Sequence, residues 1–506
     1  MKFNFSIYSI SYLLCGLTLL TACDAPINKE VLNPDVQINL TLESDRKERV
    51  NKIDSLIGLY AENKGFNGSV LVAHEGEVIY KKGFGLANME WGIPNKPDTK
   101  FRIASVTKQF TAMLVMQLVA KGKLDLHQPS TTYLSDLPRE IGSQITIHHL
   151  LTHTSGLGQG DEVQTEQVYH SPKELVSKFS GLPLEFTPGD HFEYNNSGYV
   201  LLGYILETVT GISYKKQLEE QIFKPLKMND SGFYRHRLIL KNRSSGYYKM
   251  NGDYFNANYT DFSTVFSAGA IYSTVEDMYL WDQTLYTDIL LPKKYMDLVF
   301  TKHIDDPNYG GYYGYGWELI QKSIGNTKEK VETISHGGSL PGYCSVITRI
   351  PSSKTTIILL NNTGRAYLNA ITTAITGILK DKPYKFPRKS VAYSLLDEIN
   401  ENGINTGIQF YNKVKENKNY YLAEDEMNIV SYKLLQTDKP ELAAEVLKLG
   451  IKSFPKRFNL YDSYGEVLLV LGDTLKAIES YEKSVEINPG NENGIRVLRT
   501  IHENGN

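Results

Sequence analysis

Strand-forming segments sit at both ends of one long stretch of this chain, and helix-forming segments fill the middle. In a chain of 506 residues, this arrangement restricts the fold more than any single motif does. Ile53, Leu56, Ile57 and Tyr60 share a helical face that begins near Val50. Gly65–Gly68 breaks it. Ser69–Ala73 and Val78–Tyr80 then read as a hairpin turned by His74–Glu77. Strand patterns return only at Val331–Ile334, Tyr343–Ile350 and Thr355–Leu360, and a helix fits Tyr367–Leu379. Between them, helices are predicted from Ser105 to Ala120 and near Lys173–Phe179, Tyr199–Thr210 and Thr274–Tyr286. Strands separated by so much helix form one sheet only if both ends of the domain build it. The expected class is α/β of the α+β type. It has a mixed, mainly antiparallel sheet flanked by helices, with an inserted helical lobe, over residues 48–380.

The rest of the chain divides around that domain. Lys2 and an apolar run from Ile7 to Leu20 end in Leu20-Thr21-Ala22-Cys23. The run is short for a membrane span, which needs about 20 apolar residues. It resembles a bacterial lipoprotein signal covering residues 1–22, which implies lipidation of Cys23 and a place in the cell envelope. Residues 23–47 are polar and read as a tether. Of the three cysteines, Cys15 leaves with the signal and Cys23 carries lipid. Cys344 is then left without a disulfide partner. The net charge of −3 and the lack of a basic run argue against nucleic acid as a partner.

Residues 381–390 carry two prolines among charges and read as a linker. Residues 391–506 are helical in pattern. Ala443, Leu447 and Pro455 recur as Ala477, Tyr481 and Pro489, with Gly472-Asp473 at the turn. This spacing resembles the tetratricopeptide period of about 34 residues. It implies an all-α domain that offers a surface to a protein partner. Two such units are fewer than the three or so that stand alone, so either the helices from about Val391 to Tyr432 supply the remaining packing or the array docks on the domain before it.

The chemistry centres on Ser105-Val106-Thr107-Lys108 at the start of an apolar helix. Lys108 is one helical turn from Ser105, on the same face. A serine hydroxyl needs a base to become a nucleophile. A lysine driven neutral by burial can be that base. A capped, solvated helix would carry the same spacing. Two further elements point to chemistry. Tyr194-Asn195-Asn196 lies on a loop entering a helix, where Tyr194 can relay a proton and Asn196 can bond substrate or Lys108. Ser335-His336-Gly337-Gly338-Ser339 stands just before a strand, where glycines admit a substrate backbone. His148, His149 and His153 lie close together, but no Glu separates them in the zinc-binding manner, so no metal is expected.

In this order the three elements resemble the serine β-lactamase and penicillin-binding superfamily, on the branch of class C β-lactamases, D-Ala-D-Ala carboxypeptidases and esterases. Leu150–Leu157 and Ser267–Thr274 also look like segments of that branch. The resemblance implies an acylated Ser105, Lys108 as its base and Tyr194 as general acid/base. Asn196, His336, Gly337, Gly338 and Ser339 would bind substrate. The backbone N–H groups of Ser105 and Ser339 would form the oxyanion hole, with no cofactor. His336-Gly337-Gly338 departs from the Lys-Thr-Gly of β-lactamases. It removes a cation that would meet a substrate carboxylate, because histidine is mostly neutral near pH 7. An esterase or peptidase is therefore expected ahead of a dedicated β-lactamase. The alternative reading is a weakly active or inactive scaffold that binds a protein through its repeat region.

Overall fold

The computed structural model describes residues 34–158, 168–364 and 367–504. The segment expected to be a signal, and Cys23, lie outside the described residues. The chain forms two units, Met1–Lys47 and Glu48–Asn506. Helix α1 (Pro34–Lys64) starts well before the expected Val50. Its first half is polar, with no apolar period to betray a helix. No described helix is long and apolar enough to cross a membrane.

Both ends of the domain do build one sheet. Its strands are β1 (Gly68–His74), β2 (Glu77–Phe84), β3 (Ile304–Asp306), β4 (Gly311–Tyr313), β5 (Glu318–Ser323), β6 (Lys330–Leu340), β7 (Tyr343–Ile350) and β8 (Thr355–Asn361). The spatial order is β3-β4-β5-β6-β7-β8-β1-β2, and every ladder is antiparallel. The first strand of the domain pairs with its last, Val70 opposite Leu359. The period of two then sorts side chains between two cores. Val70, Val72, Ile357 and Leu359 pack with α1 and the later helix α5 on one face. Leu71, Ala73, Ile358 and Leu360 pack against the helical lobe on the other.

The lobe contributes α2 (Thr107–Ala120), α3 (Asn196–Thr210) and α4 (Val275–Thr284), and α5 is Leu368–Leu379. All four lie where helices were expected. The short helix Pro172–Ser177 matches the expectation near Lys173. Strands β3, β4 and β5 were not anticipated. The run Tyr309–Gly316 alternates tyrosine with glycine and reads as loop, yet it supplies β4 and the approach to β5.

After Leu379 the linker packs down rather than hanging free. Lys382 N donates to Gly377 O and Asn326 N to Pro383 O. Seven helices follow: α6 (Val391–Asn402), α7 (Ile404–Val414), α8 (Glu424–Gln436), α9 (Pro440–Ser453), α10 (Phe458–Val470), α11 (Thr474–Ile487) and α12 (Glu492–Asn504). Residues from Val391 to Val467 form a core of their own. Ala443 and Ala477, which occupy matching places in the expected repeat, are both fully buried. Gly472 turns with φ +78°, and Asp473 caps α11 by accepting from Lys476 N.

One buried ion pair locks α4 to the sheet. Arg349 Nε on β7 donates to Asp282 Oδ1 at 2.6 Å, and Thr356 Oγ1 on β8 donates to Asp282 Oδ2 at 2.6 Å. Both charges are sealed from solvent. Removing one partner strands the other, so Asp282→Ala is expected to cost about 3–5 kcal/mol in urea unfolding.

Candidate active site

The helix expected to start at Ser105 starts differently. Ala104 takes φ +51°, a conformation that side chains other than glycine rarely adopt. Residues Ala104–Val106 make a single 3-10 turn, and α2 follows from Thr107. Ser105 thus stands on a strained elbow ahead of a helix N-terminus. Such strain persists only where the surroundings hold it, and here β6 and β7 do. Ser345 Oγ on β7 donates to Ile103 O at 2.7 Å. Gly338 on β6 lies against the elbow itself. A Cβ there would collide with Ile103 O and lie 2.6 Å from Ser345 Oγ and 3.0 Å from the Ala104 methyl.

The segment Ser335–Ser339 was expected just before a strand, but it lies inside β6. Glycines favour no strand, yet Gly337 and Gly338 are held in register opposite Val346 and Ser345. The two glycines differ in purpose. Gly338 is required by close packing, whereas a Cβ on Gly337 would meet only Ser345 O, at 3.8 Å.

Lys108 is 0% exposed, and burial drives its pKa well below the usual lysine value. Its Nζ lies 2.6 Å from Asn196 Oδ1, 3.2 Å from Ala268 O and 3.2 Å from Ser105 Oγ. A neutral amine has two N–H groups and one lone pair. Two fixed acceptors take the N–H groups, which leaves the lone pair for the serine hydroxyl. Asn196 is the first residue of α3, and Asn195 caps that helix by accepting from Gly198 N at 2.9 Å. Tyr194, half-buried on the preceding loop, shares a hydrogen bond with Ser105. Burial pushes its pKa up, so the phenol keeps its proton.

His336 is 1% exposed, and burial lowers its pKa to about 3. It is therefore neutral. Its Nδ1–H donates to Gly337 O at 2.6 Å, and Nε2 accepts from the Tyr313 hydroxyl at 2.9 Å. Ser105, Tyr194, Asn196, His336, Gly337, Gly338 and Ser339 all line one cavity of about 770 Å³.

The three clustered histidines have structural uses. His149 joins a capping box with Thr146. His148 Nδ1 pairs with the Tyr315 hydroxyl at 2.9 Å. His153 Nδ1 accepts from Asn195 N at 3.0 Å, and its ring packs 4.3 Å from that of Tyr194. No group of three or more His, Cys, Asp or Glu among the described residues is placed to hold a metal.

Sequence reasoning passed over part of the wall: Phe192, Asp306, Tyr309 and Glu318. One signal for Glu318 was present. It is a lone carboxylate in a strand-like run, between Trp317 and Leu319-Ile320.

A family model described as Beta-lactamase matches residues 53–376. Penicillin-binding protein 4* of Bacillus subtilis (strain 168) is 30% identical over 364 residues, covering 68% of this chain and 79% of that one. A penicillin-binding protein from Bacillus halodurans has a similar structure, with TM-score 0.56, 30% identity, and 63% and 98% of the two chains covered. A D-amino acid amidase from Ochrobactrum anthropi, solved with L-phenylalanine, gives TM-score 0.59 at 25% identity, over 66% and 99%. The chain belongs to the β-lactamase and penicillin-binding family of serine hydrolases.

The close approach at Gly338 yields a direct test. Gly338→Ala should lower the thermal midpoint and misplace Ser105, while Gly337→Ala should melt near the wild type.

Proposed function

We propose that this protein is a serine acyl hydrolase that works through an acyl-enzyme at Ser105, on D-amino-acid peptides, amides or esters rather than as a dedicated β-lactamase. The observation that carries this reading is the buried Lys108, held by three oxygens with its Nζ 3.2 Å from Ser105 Oγ and its pKa driven well below the usual lysine value. Lys108 takes the hydroxyl proton as Oγ attacks the substrate carbonyl. The backbone N–H groups of Ser105 and Ser339 receive the oxyanion. Tyr194, protonated and bonded to Ser105, passes a proton to the leaving group and is reprotonated from Lys108. Water then repeats the sequence in reverse and frees the acid.

Neutral His336 offers no cation to a substrate carboxylate, which favours esters and amides over β-lactams. The amidase relative acts on the same kind of carbonyl. An intact set of Ser105, Lys108, Tyr194 and Asn196 favours an enzyme over an idle scaffold. We further propose a lipid on Cys23 that holds the enzyme at a bacterial envelope, with the helical region 391–506 free to meet a partner protein.

A fluorophosphonate or a fluorescent penicillin should label the wild type and not Ser105→Ala. If neither reagent, nor any member of an ester panel, ever acylates Ser105, the enzyme reading fails. Lys108→Met should cut acylation by orders of magnitude without lowering the thermal midpoint. Acylation should also hold at neutral pH and fall as acid protonates Lys108, in a titration well below the usual lysine value. Palmitate labelling should vanish in Cys23→Ser.

A further inference from the structure

His153 lies outside the lining of the Ser105 cavity, yet its contacts bracket the Tyr194 phenol that lines it. Glu193 N, one residue before Tyr194, donates to His153 O at 2.9 Å. Asn195 N, one residue after, donates to His153 Nδ1 at 3.0 Å. Between these two hydrogen bonds the imidazole lies on the Tyr194 ring, with centroids 4.3 Å apart and planes 31° from parallel. The rings of Tyr313 and Tyr199 close on the imidazole at 4.8 and 5.0 Å. His153 is 1% exposed and takes φ +58°, and Thr154 N beside it is tied to His149 O at 3.0 Å.

Packing alone does not account for a histidine here. A backbone N–H only donates, so Nδ1 is the accepting nitrogen and Nε2 carries the ring hydrogen. Nε2 is buried with no hydrogen-bond partner among the described residues. A buried donor left unbonded is costly, and a phenylalanine would fill the same space without it. What phenylalanine lacks is the acceptor at Nδ1. Burial holds the imidazole pKa well below the usual histidine value, so that lone pair stays available. We infer that His153 is a positioning residue for the reaction: it clamps the chain on both sides of Tyr194 and stacks on its ring, which aims the phenol at the leaving group. The inference rests on the reading of Tyr194 as the proton donor. As the C–O bond of an ester breaks, the departing alkoxide takes the phenol proton, and Lys108 returns a proton to the phenolate.

The test compares ethyl butyrate with p-nitrophenyl butyrate. Ethoxide needs a proton to leave, whereas p-nitrophenolate leaves as the anion, so a misaimed phenol slows the first ester selectively. In His153→Leu, which removes both the acceptor and the ring, the kcat/KM ratio of ethyl to p-nitrophenyl ester should fall about tenfold or more. His153→Asn should recover part of that loss, because its Oδ1 stands near the place of Nδ1 and asparagine tolerates φ +58°. Each ratio is taken on one preparation, so a smaller folded fraction cancels from it. Tyr194→Phe should lower the ratio too. Adding His153→Leu to it should lower it no further, since an absent phenol cannot be misaimed. A His153→Leu ratio equal to the wild type, no recovery in His153→Asn, or additive losses in the double variant overturns the inference and leaves the hydrolase reading standing. If Tyr194→Phe itself leaves the ratio unchanged, the proton-donor reading fails and the inference falls with it. Hydrolysis of neither ester by the wild type counts against the hydrolase reading itself.

Discussion

Sealing a lysine side chain from water beside a serine hydroxyl is the constraint on which the rest of the site depends. An ammonium ion at Lys108 would lose its hydration and recover little, because the groups around it are neutral oxygens from Ser105, Asn196 and Ala268. The amine form costs far less, and it is the form that can take a proton. Keeping it requires dry walls on every side. Helix α2 is buried along almost its whole length. Tyr194 and Tyr199 lay their rings 4.7 and 5.5 Å from Nζ, and His336 and His153 stay neutral nearby. The helical lobe is thus the insulation for one side chain as well as a packing layer.

The sheet contributes position rather than chemistry. It carries β6 past the Ser105 elbow at a distance that only glycine permits at residue 338. The ladder to β7 then sets Ser339 opposite Cys344, at the mouth of the cavity. The Arg349–Asp282 pair fixes α4 on the same strands, so the sheet and lobe are held together away from the cleft as well as within it. The C-terminal helices have their own core, and surface pairs join that end of the chain to the rest: Lys433 of α8 with Asp253, and Lys389 of the linker with Glu62 of α1. Exposed pairs of this kind are worth little, which suits a region that keeps its own stability.

Much of this was legible in advance because the signals were local. The hairpin at Ser69–Tyr80, the strands at residues 343–360 and the helices at Thr107, Asn196 and Val275 follow from apolar period and capping residues. Ser105, Lys108, Tyr194 and Asn196 were found through short motifs, and the structure brings Ser105, Tyr194 and Asn196 to one cavity with Lys108 buried against Ser105 and Asn196. Other features left no local trace. Strands β3 and β4 are only three residues long, too short for a period of two to show, and with β5 they owe their form to the ladder beside them. His336 looked like a loop residue until its strand partners buried it. His153 reads as one of three adjacent histidines, and only packing separates its ring, against Tyr194, from the cap at His149. Glu318 is distant in sequence from every motif it adjoins.

The order of residues alone determined which side chains could do acyl transfer, and that strands from both ends of the domain must share one sheet. Both conclusions depend on spacing along the chain, which folding cannot alter. The protonation states were decided by tertiary structure. The pKa values of Lys108 and His336 are lowered because other segments exclude water from them. Tertiary structure also decided the strained elbow at Ala104, which exists because β6 and β7 press against it. Burial and close approach are properties of neighbours in space, and no stretch of sequence contains them.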